Sequence, residues 1–449
     1  MAELTSPIEW WYEGDPLPQL DGVDMQALRA RLLEARAVRV EPSGAVVIHF
    51  VGLLVFRKTV IACLPKVRVD AERTDVFRQT LRALKVYARR IPSHHEPSPY
   101  LNSRWDQGPV SLMAATDWLL RDYFAHGLYR RRKTDRELNG AGKTHWSATI
   151  SKMRPIFSGG RPIYVDHITQ AAGNDTVNFA TMLHLYLLEY LSRRFGALLD
   201  YTPVLLDHEP VNRLSSLPSV SECVYRLVME RRATYLERHL ELLAMLQVVM
   251  SALEVERTQG LALYGTSSFY HVWEAVCGTV LGNAVDSWKA ELPSPAWTSS
   301  DGAEQTANTF VPDIISALEE GSDQLIIADA KYYRPLMPPV LAGVPGVNDV
   351  AKQIWYKQYL AALANERGYA KIHNVFLFPC GEGDVMRRIG RVSFPRGGEI
   401  VDAIALEFMS ALGTYTAGGS QAEQASAMSR LVALLDEDED EMRVTLPRA

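Results

Sequence analysis

The pattern of apolar and polar positions is organised around 310–333, FVPDIISALEEGSDQLIIADAKYY. A mostly apolar run at 310–318 and a second at 324–333 flank Glu320-Gly321-Ser322-Asp323. Two β-rich runs divided by turn residues predict a β-hairpin. Asp313 precedes Gly321 by eight residues and Asp329 follows it by eight. In an antiparallel hairpin centred on Gly321 those carboxylates stand opposite each other. Side chains alternate faces along a strand, so Asp329 and Lys331 share one face while Ile326, Ala328 and Ala330 point the other way, into a core.

Upstream, residues 1–44 are rich in Trp, Pro and acids and read as a small opening unit. Runs at 45–50, 52–57 and 59–64 predict a short meander, and Val76, Phe77, Leu81, Leu84 and Tyr87 recur at helical intervals after Pro65-Lys66. Pro, Ser and His mark 91–109 as a loop. A helix is predicted over 112–132, ending in Arg130-Arg131-Arg132-Lys133. Asp175 can cap a helix that stops near Gly196. After a Pro-rich connection at 202–218, Ser219 or Ser221 can cap a longer one reaching about Gly260, roughly 55–60 Å of rod. Downstream, a Pro/Gly loop at 335–346 leads to a helix at 350–365, strands at 371–378, 386–394 and 400–408, and a last helix at 421–435. The six acids at 436–441 read as a disordered tail. The division expected is 1–165, an N-terminal α+β module that docks a partner or binds DNA; 166–259, a helical connector; and 260–449, a catalytic domain with an acidic tail. Removing 1–165 is then expected to leave the catalytic fold standing.

Composition narrows the function classes. With 47% hydrophobic and 22% charged residues in 449, the chain reads as an ordinary soluble protein of two or three domains. No apolar run has membrane-spanning length, and the N-terminus lacks a basic-then-apolar leader. Cys63, Cys223, Cys277 and Cys380 show no CxxC spacing and read as reduced, packed thiols. These features fit a cytoplasmic protein. The net charge of −6 conceals a segment, 57–161, that carries +12. That segment suits a polyanion or an acidic partner, and equally a solvated helical surface. Gly140-Ala141-Gly142-Lys143-Thr144 imitates a P-loop, but Glu137 stands where its leading glycine belongs, so nucleotide binding is rejected there. His184 and His239 read as structural histidines.

Two carboxylates and an ammonium on one side of a sheet suit divalent-metal phosphodiester chemistry. Mg²⁺ takes oxygen ligands, makes a nucleophile of bound water and neutralises charge on phosphate. Lys331 would orient that water or stabilise the transition state. The competing reading of the same residues is a surface hairpin with an Asp–Lys ion pair.

Pro312-Asp313 followed by Asp329-Ala330-Lys331 resembles the PD-(D/E)XK nuclease signature. Tyr264-Gly265-Thr266, Ser268-Phe269 and His271-Val272-Trp273-Glu274 are similar to the helix that precedes this hairpin in LlaJI and McrC-like restriction nucleases. Asp349-Val350, Lys352-Gln353 and Tyr356 resemble the helix that follows it. The resemblance covers roughly 264–380. Weaker similarity to the same proteins lies in Leu64-Pro65-Lys66 and in Gly142, Trp146, Thr149 and Ile150, the last set reading as a structural loop into a strand or a partner-facing loop. The resemblance implies an α/β fold: a C-terminal PD-(D/E)XK restriction-endonuclease-like domain, preceded by a helical layer and the N-terminal α+β module. It implies Asp313, Asp329, Lys331 and Glu274 as catalytic residues, with Asp313, Asp329 and Glu274 binding Mg²⁺ or Mn²⁺. Lys352, Gln353 and Tyr356 would be DNA-binding or supporting. The implied function is the endonuclease subunit of an McrBC/LlaJI-type restriction system, cutting DNA with a McrB-like AAA+ GTPase, as a dimer or as paired complexes. A self-sufficient type II-like endonuclease and a non-catalytic activator or scaffold of an AAA+ ATPase stay open as alternatives.

Overall fold

The computed structural model describes residues 8–57, 59–90, 112–175, 178–204, 218–259, 261–292, 294–306, 311–317, 323–394 and 399–445. The loop expected at 91–109, the apex of the 310–333 hairpin and most of the Pro-rich 202–218 connection lie outside them. The chain forms two compact units, one of Ser6–Trp105 with Leu261–Ala449, the other of Met1–Thr5 with Asp106–Gly260. This division corrects the three consecutive segments expected, and strand pairing is the reason.

The first part of the larger unit holds β1 (Glu9–Tyr12), α1 (Met25–Glu34), β2 (Val38–Val40), β3 (Val46–Ile48), β4 (Val51–Phe56), β5 (Thr59–Leu64) and α2 (Arg73–Arg90). β4 and β5 form the expected hairpin, but β3 pairs with β2 instead of extending a meander. Residues 1–44 are no separate unit either. Four residues of β1 cannot bury Trp11 alone, so β1 runs parallel beside β5, and Trp11, Leu28 and Leu32 share one core with Leu54, Ile61 and Cys63.

The other unit holds α3 (Leu112–His126), β6 (Arg131–Leu138), β7 (Lys143–Thr144), α4 (Trp146–Lys152), β8 (Ile156–Ser158), β9 (Arg161–Ile163), β10 (Ile168–Asp175), α5 (Phe179–Leu199), α6 (Val220–Arg232) and α7 (Glu237–Gln259). β6 and β10 pair along their whole lengths, from Ile168 opposite Leu138 to Asp175 opposite Arg131, so no boundary falls at 165. α3 stops at His126 because Gly127, at φ 76°, turns the chain and returns its N–H to the Tyr123 carbonyl. The basic run therefore enters β6 and does not cap a helix. Asp175 closes β10, and the cap of α5 is Asn178, whose side chain accepts the Thr181 N–H at 2.9 Å. Ser219 caps α6 as expected, yet the long rod breaks at 233–236 and α6 packs along α7. An unbroken rod would leave Leu227 and the Leu242, Leu243 and Leu246 stripe without each other's cover. The Gly140–Gly142 turn leads into β7, and Trp146 then opens a helix. Among the histidines, His184 is buried and its Nδ1 accepts the Tyr129 N–H at 3.1 Å. Burial pushes its pKa down to about 4.

The larger unit resumes with β11 (Leu261–Thr266), α8 (Phe269–Leu281), α9 (Val285–Trp288), β12 (Ala296–Thr298), β13 (Glu304–Thr306), β14 (Ile314–Ala317), β15 (Gln324–Ala330), α10 (Val347–Glu366), β16 (Lys371–Cys380), β17 (Met386–Ser393), β18 (Ile400–Glu407), α11 (Phe408–Ala417) and α12 (Gln421–Thr445). Residues 264–266 are a strand, not the start of a helix: β11 pairs with β4 and completes the sheet β1-β5-β4-β11. The approach is close, since a Cβ at Gly265 would lie 2.1 Å from the Val51 carbonyl oxygen. The second sheet has the order β14-β15-β16-β18-β17, antiparallel at both edges and parallel between. Helix α10 crosses from β15 to β16 and covers one face, where Tyr356 and Leu360 pack on Leu325 and Ile327, and Val350 and Ile354 on Phe376 and Phe378. On the other face lie α8 and α11, joined through Phe269, Trp273 and Phe408. The fold is mixed α/β. The acidic run at 436–441 continues helix α12 and is not a disordered tail, with Asp436 accepting from Lys371 at 2.6 Å. Among the described residues no helix is long and apolar enough to cross a membrane.

Candidate active site

Every residue of β15 from Leu325 to Ala330 is buried, as a central strand covered on both faces requires. Asp329 is thus a carboxylate in an apolar strand, only 4% exposed. It needs partners, because a buried charge without them is costly. The β14–β15 register, Ile314 opposite Ala328, continues to place Asp313 opposite Asp329. Asp313 Oδ2 accepts the Ala330 N–H at 3.0 Å, which fixes its carboxyl against the end of β15. Lys331 turns back to the same face, its Nζ 2.7 Å from Asp329 Oδ2 and 2.9 Å from Asp349 Oδ1. Asp349 sits in the first turn of α10, where its other oxygen accepts the Gly346 N–H at 3.3 Å.

The electrostatics follow from this geometry. Burial, then Asp329, then Glu274 disfavour charge on Asp313, and its pKa rises to about 7. Burial alone would lower the Lys331 pKa, but Asp329 and Asp349 outweigh it and hold the ammonium charged. Glu274, on α8, borders the pair. Its Oε2 lies 3.1 Å from His271 Nδ1, and that bond raises the His271 pKa.

The fold therefore gathers Asp313, Asp329 and Lys331, and sets Glu274 beside them in a pair with His271. Among the described residues no three His, Cys, Asp or Glu side chains stand together as a metal cluster. The donor chemistry nonetheless fits a hard divalent cation: two adjacent carboxylates, one with its pKa raised by burial and then by the other's charge. Gln353 and Tyr356 occupy supporting places. Gln353 is buried and donates to the Ile327 carbonyl at 3.2 Å and the Val375 carbonyl at 3.3 Å, bridging β15 and β16. Tyr356 donates to the Val311 carbonyl at 2.6 Å, pinning the segment that enters Asp313. Lys352 is exposed, with its Nζ 5.3 Å from the Tyr356 ring centre. Sequence reasoning left Asp349 and His271 out of the site. Asp349 follows Gly346 by three residues at a helix start, a spacing that reads as capping and hides its second bond to Lys331. His271 precedes Glu274 by three on one helix, a spacing that could have identified the pair.

The profile of LlaJI restriction endonucleases matches residues 50–410. The chain belongs to the LlaJI restriction endonuclease family. This LlaJI family member is 30% identical over 401 residues to the type II restriction enzyme BsuMI component YdjA of Bacillus subtilis strain 168, covering 86% of this chain and 83% of that one. Its fold is also similar to a chain in the Thermococcus gammatolerans assembly of McrB AAA+ hexamers with bound McrC, with 14% identity and a TM-score of 0.41 over 96% of this chain and 100% of that one. A second match, to the McrBC complex of the same organism, has 14% identity and a TM-score of 0.26, covering 56% of this chain and 87% of that one.

Proposed function

We propose that this LlaJI family chain is a metal-dependent DNA endonuclease subunit whose reactive centre is Asp313, Asp329 and Lys331, in a domain of the PD-(D/E)XK kind. The juxtaposition of Asp313, Asp329 and Lys331 at the end of β15 carries the reading. A structural ion pair would need one carboxylate; here Lys331 is shared by Asp329 and Asp349, and Asp313 adds a carboxyl that burial and Asp329 keep from ionising easily.

Asp313, Asp329 and Glu274 would hold Mg²⁺ or Mn²⁺. The ion, when bound, supplies a water of lowered pKa and a counter-charge for phosphate. The chain's own residues then have distinct tasks. Lys331, held charged, donates to the attacking water or to a phosphate oxygen and does not act as a base. The Ala330 N–H fixes the orientation of Asp313. Gln353 and Tyr356 keep β15, β16 and the Val311 segment in register beneath the site. The three parallel strands β15, β16 and β18, with the site at the carboxyl end of β15, support this reading, since open α/β sheets bind ligands outside the carboxyl ends of their strands.

The printed description of the B. subtilis relative is a restriction enzyme component, which supports a chain that works with others. The residues resembling McrC-like proteins, Leu64-Pro65-Lys66 and Gly142 to Ile150, favour an AAA+ GTPase as that partner, with DNA as substrate. Cutting both strands with one site per chain favours a dimer or paired complexes. The test is plasmid cleavage by the full chain with Mg²⁺, alone and with its GTPase and GTP. Cleavage only with the motor supports the subunit reading. Cleavage by the chain alone makes it a self-sufficient endonuclease. Cleavage in neither overturns the nuclease assignment.

A further inference from the structure

β15 ends at Ala330, so Lys331 has left the regular ladder. Its N–H still donates to the Leu377 carbonyl of β16 at 2.8 Å, and its carbonyl accepts the Tyr333 N–H at 2.8 Å. The next residue, Tyr332, points to the opposite face and is buried against Phe269, ring centres 5.2 Å apart. Its hydroxyl donates to Glu13 Oε2 at 2.8 Å and accepts the Lys66 N–H at 3.1 Å. Glu13 is itself 8% exposed, directly after β1, and its N–H donates to the Leu64 carbonyl at 2.9 Å. The Lys66 ammonium lies 4.2 Å from the Tyr332 ring centre. The loop carrying Lys66 is fixed in turn: Arg68 bonds both Asp15 oxygens, at 2.8 and 2.6 Å, and lies 3.4 Å from the Tyr12 ring centre. That loop presses on the residue after β16, where any Cβ at Gly381 would overlap the Arg68 carbonyl oxygen.

A carboxylate this buried is expensive, and burial is the main influence raising the Glu13 pKa. A surface hairpin would have no use for it. We infer that Glu13, Tyr332 and Lys66 are positioning residues for Lys331: the ends of β1 and β5 grip Tyr332 on one face of the strand end and thereby set the Lys331 ammonium on the other. The inference rests on the nuclease reading of Lys331. It gives the N-terminal strands a task at the reactive centre itself, and it gives Leu64-Pro65-Lys66 a physical role: Pro65 ends β5 so that Lys66 can turn its N–H and its ammonium onto Tyr332.

The test uses the full chain with its partner under conditions where the wild type cuts DNA, measuring kcat, KM for DNA and melting temperature. Tyr332→Phe keeps the ring and removes only the hydroxyl. It should lower kcat by about tenfold to a hundredfold, the scale of small misplacements of a reacting group, with KM and melting temperature nearly unchanged. Combined with Lys331→Ala it should lower kcat no further than Lys331→Ala alone. Glu13→Ala should lose kcat as Tyr332→Phe does. Glu13→Gln, whose amide oxygen still accepts the tyrosine hydroxyl, should recover most of it, which a Glu13 that gives and takes a proton during the reaction would not allow. Wild-type kcat in Tyr332→Phe, with Lys331→Ala inactive, overturns the positioning role and leaves the nuclease reading standing. Wild-type kcat in Lys331→Ala overturns both.

Discussion

The raised pKa of Asp313 makes a stability prediction that needs no substrate. In the unfolded chain the carboxyl ionises near 3.8; in the fold, burial, Asp329 and Glu274 move that to about 7. Between those values the folded protein holds a proton that the unfolded chain has released. Stability from this group is therefore greatest below 3.8, declines as pH rises to about 7, and levels off above that, as linkage requires when only the folded state still binds the proton in that window. A difference of about three pKa units at about 1.36 kcal/mol each sets the upper scale, roughly 4 kcal/mol between pH 4 and pH 8. Asp313→Asn should mimic the protonated carboxyl, since its oxygen can still accept the Ala330 N–H and its amide can donate to Asp329. In EDTA at pH 8 the variant should then be more stable than the wild type by about 1–4 kcal/mol. At pH close to or below the unfolded value of 3.8 the advantage should largely vanish. The assay is urea unfolding of both proteins at the two pH values, comparing midpoints at constant slope. Mg²⁺ should stabilise the wild type and not the variant, and below pH 7 its binding should release close to one proton, readable by calorimetry in buffers of different ionisation enthalpy. An Asn variant equal to or weaker than the wild type at pH 8, with the same pH dependence, would refute the raised pKa that burial and then Asp329 give Asp313.

Lys331→Ala should lower DNA cleavage by roughly two to four orders of magnitude, as loss of a group that holds transition-state charge does, and should lower the melting temperature too, because Asp329 is left buried without its ammonium; wild-type cleavage would favour the plain ion pair. Gln353→Leu should destabilise the larger unit by about 1–3 kcal/mol, because the carbonyls of Ile327 and Val375 lose their buried donor; unchanged stability in urea would remove Gln353 from its supporting role. A fragment beginning at residue 166 should fail to fold cooperatively by circular dichroism, since it lacks β1, β4, β5 and α2 and leaves β11 without a partner strand; a well-folded fragment would contradict the division into units described above.

The local part of the site was legible because its signal is local. The equal spacing of Asp313 and Asp329 from Gly321 in the sequence predicted that they stand opposite each other, and strand alternation put Asp329 and Lys331 on one face. The order of the downstream strands and helix was equally readable from periodicity. What pairing decides over long separations was not. Nothing near Val51 announces that β4 will take β11, some two hundred residues later, as its neighbour, although Gly52 and Gly265 mark where their backbones meet. The +12 segment suggested one surface, yet 57–90 and 112–161 fall in different compact units. Helix ends were misplaced where a single residue decided them: Gly127 ended α3 early, and Asn178 outcompeted Asp175 because Asp175 was already held in β10. Asp349 escaped because a carboxylate in a first helical turn has a sufficient local explanation, and its bond to Lys331 spans eighteen residues.

The most direct test of the reactive centre is Mg²⁺-dependent cleavage of supercoiled plasmid by the complete restriction complex carrying Asp329→Ala. The variant should assemble with its partner as the wild type does, bind DNA, and show cleavage reduced by roughly three orders of magnitude or more, with no rescue by Mn²⁺. Cleavage at the wild-type rate with Mg²⁺ would mean that Asp313, Asp329 and Lys331 hold the strand end together and the DNA is cut elsewhere.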